Sequence, residues 1–176
     1  MRSLHLLATV VTMIGIVTTQ EIVPEQMSYS NAAEIVSGVL YGILEDEIPA
    51  GALDHCIGDG EALELQVATA VRDLESLTFD GIKKGLQEAG AAVKLIPGMV
   101  KDCVEVKGEL SIILKMASIF EHPLSLIYHV GKALIVNGSD ILSKIQASIE
   151  AYKASHYFAF GTYLGEALDE VFMKTM

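Results

Sequence analysis

Gly51-Ala52-Leu53-Asp54-His55-Cys56-Ile57 and Gly98-Met99-Val100-Lys101-Asp102-Cys103-Val104 hold the only two cysteines of the chain. Each phrase stands between two amphipathic runs of helical spacing, so a bridge from Cys56 to Cys103 would tie corresponding corners of two helical pairs. An even cysteine count in an exported chain points to pairing rather than to two free thiols. No Cys-x-x-Cys is present, and a bridged cysteine cannot act as a nucleophile. Neither redox chemistry nor catalysis is therefore expected from Asp54, His55, Cys56 and Asp59.

Helical spacing continues on both sides of these phrases. Ahead of them, Ile35, Val36, Val39, Leu40, Ile43 and Leu44 stripe one helix, with Asn31 and Glu34 placed as its cap and Pro49 and Gly51 as its stop. Between the cysteines, Leu63, Val67, Ala70, Val71 and Leu74 mark a second helix. Phe79, Ile82, Leu86, Ala89 and Val93 mark a third, begun at Thr78 or Asp80 and broken at Pro97-Gly98. A fourth is predicted over residues 99–120. Beyond His122-Pro123 a fifth runs to Asn137-Gly138, a sixth starts at Ser139 or Asp140, and a last carries Phe160, Leu164, Leu168, Val171 and Phe172 after a break near residues 153–157. Strand alternation is nowhere sustained. The expected fold is all-α, a compact bundle of about seven helices with one disulfide.

The amino terminus bears on compartment. Arg2 precedes an apolar run over residues 4–17, and Val17-Thr18-Thr19 offers a cleavage site, so residues 1–19 read as a secretory signal rather than an uncleaved anchor. Residues 20–30 then form an extended lead-in and residues 31–176 a single helical domain. Secretion follows as the expectation, to the extracellular space or the lumen of the secretory pathway, with no transmembrane span in the mature chain. The full chain has a net charge of −11, one unit more negative without Arg2. Such an acidic surface, with no basic stripe, excludes nucleic acid as a partner.

Six glycines fall in spaced pairs, Gly38 with Gly42, Gly81 with Gly85 and Gly161 with Gly165. Each costs a helix roughly 1 kcal/mol against Ala, so close approach of a neighbour is the expected reason. That neighbour is another helix of the chain, a ligand or a second copy. Asn137-Gly138-Ser139 makes Asn137 a glycosylation candidate as well as a helix stop. His55, His122, His129 and His156 lack the spacing of a metal site, and no nucleotide, calcium or nucleophile-elbow motif occurs. No cofactor and no metal are expected. Tyr152, Tyr157, Phe158, Phe160, Tyr163 and Phe172 gather in the final third, with Tyr157 and Tyr163 expected to face away from the core.

With Cys56-x-x-Asp59, Cys103, Phe120-x-His122-Pro123, Asn137-Gly138-x-Asp140-Ile141 and the phrase over residues 157–165 in view, the chain resembles a loosely defined group of small secreted helical proteins of ciliates. The resemblance implies a signal peptide, one disulfide and helices. It implies no activity.

The expected function is that of a secreted, non-enzymatic module binding or carrying an apolar ligand or lipid. Its cavity would be lined by Leu110, Ile113, Leu114, Leu124, Ile127, Ile145 and Ile149. The alternative is an extracellular structural protein that self-associates through its glycine-rich helix faces.

Overall fold

A computed structural model of the chain describes residues 29–45, 48–58, 60–106, 110–119, 123–172 and 174. The expected signal over residues 1–19 and most of the lead-in lie outside them. The described residues form seven α-helices and one 3-10 turn, with no strand among them. They are α1 (Tyr29–Leu44), α2 (Ala50–Leu53), α3 (Glu61–Leu74), α4 (Phe79–Met99), α5 (Leu110–Ile119), α6 (Pro123–Lys153) and α7 (Tyr157–Phe172), with the 3-10 turn at Val104–Val106. The expected all-α bundle is the fold of the chain.

The boundaries differ from expectation in three places. α1 begins at Tyr29, so Asn31 lies inside it rather than capping it. Pro97 sits in the last turn of α4 instead of ahead of a new helix. One missing N–H that close to a helix end is tolerated, and the chain leaves α4 only after Met99. The helix expected over residues 99–120 is therefore a turn through Cys103, the 3-10 turn and then α5. Lastly, the break expected at Pro49 and Gly51 holds a short helix, α2. At Asn137, whose φ of −125° and ψ of 26° are non-helical, α6 consists of two helical halves joined across a kink, where Asn137-Gly138 reads in the sequence as a stop. The cap at Thr78 is as read, its Oγ1 accepting from the Gly81 amide at 3.1 Å.

Two helical layers build the domain. In one, α7 packs against both α1 and α6; in the other, α3 and α4 form a hairpin that also carries α5. The first layer depends on glycine. A Cβ on Gly38 would stand 3.0 Å from Cα of Gly161, and one on Gly42 would stand 3.0 Å from Cα of Gly165. The numbers rise together along both helices, so the first and last helices of the domain run parallel, backbone on backbone. Gly85 does similar work in the second layer, where a Cβ would run into the Leu74 side chain. None of the described glycines has a positive φ, and the left-handed positions belong to Glu45, Leu77 and Ser155. Glycine is used here for space rather than for turns.

Cys56 and Cys103 are bridged, with Cα atoms 5.2 Å apart. Each closes the same kind of turn: the Cys56 amide donates to the Leu53 carbonyl at 3.0 Å and the Cys103 amide to the Val100 carbonyl at 2.9 Å. Leu53 and Val100, three residues ahead of each sulfur, are fully buried. Because α3 and α4 are antiparallel, the bridge staples the open end of their hairpin, beside the Gly58 amide bonded to the Met99 carbonyl at 2.8 Å.

Gly38→Ala is predicted to destabilise the domain by about 2 kcal/mol or more, since the added methyl meets backbone that cannot move aside. Gly131→Ala, in α6 with nothing within 4 Å of the added carbon, is predicted to stabilise by up to about 1 kcal/mol. Replacing both cysteines by Ser should cost about 4 kcal/mol on the chain-entropy account of a loop this long. Urea unfolding of the purified variants measures all three.

Candidate functional site

The first half of α6 is apolar on two faces. One face is interior: Val130 and Ala133 are fully buried and Leu134 packs against the core. The other carries Leu124, Ile127, Tyr128, Ile135 and Val136 at spacings of three, four and seven, which align along one side of a helix. Among the described residues nothing covers that side. Leu124 is 83% exposed and Ile135 87%. Between them Ile127, Tyr128, Gly131, Lys132, Ile135 and Val136 line an open groove of about 400 Å³. Gly131 supplies its floor, and the Lys132 ammonium lies 5.9 Å from the centroid of the Tyr128 ring. His129, on the flank, packs 6.1 Å from the Phe172 ring. Burial, reinforced by Lys132, pushes the His129 pKa down, so the imidazole is neutral at neutral pH.

Past the kink the same helix changes character. Its exposed residues there are Ser139, Asp140, Ser143, Gln146, Glu150 and Lys153. At the join, Asn137 Nδ2 donates to Glu170 Oε2 at 3.0 Å, so the amide nitrogen that a glycan would take is already engaged. Glu170, nearly buried on α7, also accepts from Lys144 at 3.3 Å and Lys174 at 2.6 Å. Lys144 in turn reaches Asp140 at 2.8 Å. This network borders a polar cleft of about 490 Å³ whose walls include Tyr41, Glu45, Glu166 and Asp169. The hydrogen bond from Lys174, opposed by burial and aided by Lys144, holds the Glu170 carboxyl below the ordinary glutamate range.

Where α1, α3, α4 and α7 meet, the void among Ile35, Val39, Leu63, Val93, Ile96 and Leu164 measures about 10 Å³, barely the size a single water needs. The residues read as cavity lining are divided. Ile113, Ile145 and Ile149 lie in the core, whereas Leu114, Leu124 and Ile127 are exposed. The side chain of Leu110 lies outside the description. Of the set, Ile127 lines the α6 groove. Tyr128, Ile135 and Val136 were not among the residues singled out as lining, although their spacing in the sequence was the available signal.

The remaining candidates are placed as follows. Tyr163 is exposed, and Tyr157, expected to face outward, is half-buried against Tyr152 with ring centroids 6.1 Å apart. His55 and His156 are exposed and His122 lies outside the described residues. Among the described residues no three His, Cys, Asp or Glu side chains are gathered as metal ligands would be. Nor is any described helix long and apolar enough to cross a membrane.

Fold and bridge define a class: a small all-helical domain with one disulfide and an uncovered apolar face. The chain belongs to the SctB-like family, described as secreted protein B-like, whose family model matches residues 16–174. It is thus a member of a family of secreted proteins. No curated protein and no solved structure matches the chain.

Glu170→Gln is predicted to destabilise by about 1.5–3 kcal/mol at neutral pH, the range for a hydrogen bond to a charged group. Because the folded carboxyl titrates below its ordinary value of 4.5, its contribution is complete above that value. It is lost as the pH falls through the folded pKa. The difference between wild type and variant should therefore shrink on acidification below about pH 4.5, as read by urea midpoints across pH.

Proposed function

We propose that the mature chain is a secreted, non-enzymatic binding module that takes an apolar ligand or lipid on the exposed groove of α6. The observation that carries this reading is the row Leu124, Ile127, Tyr128, Ile135 and Val136, apolar and open to water on a helix whose opposite side already serves the core. A helix apolar all round is ordinarily buried, and an exposed row of this length marks a contact surface. A void that small where α1, α3, α4 and α7 meet leaves no room for a ligand enclosed at that junction, which supports a ligand held on the surface. Export is read from residues 1–19 as a cleaved signal with its cut near Thr19, in keeping with the secreted family and with the likeness to secreted proteins of ciliates. The non-enzymatic reading rests on the lack of a convergent catalytic motif in the sequence.

Self-association through the glycine faces is the less supported reading. Gly38, Gly42, Gly161 and Gly165 are taken up by the backbones of α1 and α7, and Gly81 and Gly85 by the end of α3.

Native mass spectrometry of the mature chain with oleic acid tests the proposal. A retained one-to-one adduct is expected, weakened at least tenfold in Ile135→Glu, an exposed position where substitution leaves folding nearly unchanged. Absence of an adduct, or an adduct indifferent to that change, overturns it.

A further inference from the structure

The face that α6 leaves open is acid-free as well as apolar. The chain holds 23 acidic residues, yet from Leu124 to Ser139 there is none, and Lys132 is the only lysine or arginine. The acids return with Asp140, immediately past the kink, where the exposed residues of α6 become polar. Polarity and charge thus change together, within one helix and at one residue.

A groove this open leaves much of a single bound molecule in water, where a concave pocket would surround it. The open row can lie on an extended apolar medium. From Leu124 to Val136 the row spans roughly 18 Å of helix axis at 1.5 Å per residue. Tyr128 has an apolar ring and a polar tip, the form that sits at the head-group level of a bilayer. A second copy fits less well, because pairing would bring together two chains each of net charge −11. A zwitterionic bilayer meets the longest stretch of α6 without acids and leaves the acidic remainder of the chain in water. With no described helix able to span, the helix would lie in the plane of the interface.

We propose that the first half of α6 is an interfacial membrane-docking helix, by which the secreted protein binds the surface of a zwitterionic phospholipid bilayer. This deepens the preceding reading, and rests on it, by naming assembled lipid rather than a single molecule as what the face meets.

The test is flotation of the full mature chain with dioleoylphosphatidylcholine vesicles, alongside oleic acid binding and sedimentation without lipid. The chain is expected to float, and Leu124→Glu with Ile135→Glu to lower vesicle affinity by roughly a hundredfold, given two apolar anchors lost. Gln146→Glu, on the polar half of the same helix, should float unchanged. The chain contains no Trp, so Tyr128→Trp supplies a single reporter whose emission should shift to the blue on vesicles. Oleic acid binding without flotation overturns this inference and leaves the preceding reading standing. Binding of neither overturns both. A dimer in lipid-free solution that the double variant abolishes assigns the face to a second copy and overturns the membrane proposal.

Discussion

The contact of α1 with α7 through Gly38, Gly42, Gly161 and Gly165 is the constraint on which the domain depends. Helix axes ordinarily keep 8–10 Å apart because side chains stand between them. Here the missing side chains let backbone meet backbone, and two helices from opposite ends of the described chain become one parallel pair. Everything between them must leave from the carboxyl end of α1 and return to the amino end of α7. The long antiparallel α6 makes that return, packed along α7 from His129 beside Phe172 to Tyr152 beside Phe160, whose ring centroids lie 5.2 Å apart.

A second layer is needed to cover what that pair leaves open, and the hairpin of α3 and α4 provides it with Leu63, Val67, Val93 and Ile96 facing Ile35, Val39 and Leu164. The hairpin is closed at both ends by different means. At its turn, Gly85 lets α4 approach Leu74 and Ala70 on α3; at its mouth, the bridge from Cys56 to Cys103 holds the two exits together. A core of aliphatic side chains, with little aromatic bulk to lock it, gains from such fixed points. Its steric specificity comes from glycine contacts and one covalent tie rather than from large interdigitating rings.

Much of this was legible in the sequence. The apolar periodicity located the helices because it follows directly from which side of each faces the core, and the cysteine pair located the bridge. The stop at Asn137-Gly138 stands as a kink between two helical halves rather than a full break, and Pro97-Gly98 is a boundary that escaped. Asn137-Gly138 is a strong stop in an isolated helix. Here Val130 and Ala133 before it, and Ile141 and Ile145 after it, are all fully buried. The interior thus holds both halves, and the bond from Asn137 to Glu170 secures the bend. Pro97-Gly98 failed as a break for a smaller reason, since a proline in the last turn removes one bond from a helix already ending. The glycine pairs were visible as pairs, but their matching was not: only coordinates show that the first pair belongs with the third and not with the second.

The candidate site was the least legible part, for a reason of the same kind. Leu124 and Ile127 were read as the lining of a cavity together with the buried Ile113, Ile145 and Ile149, because apolar residues at helical spacing normally mark one inward side. In α6 there are two such sides, and only one can reach α7 and the core. Periodicity reports that a face is apolar but not that a neighbour exists to cover it. That second fact depends on how many helices the chain has and where they lie. The described residues set none against the outward side of α6, while the polar second half of the same helix shows that an ordinary solvated face was available within this very element. The contrast across Asn137 is therefore informative about function in a way that the average hydropathy of the chain is not.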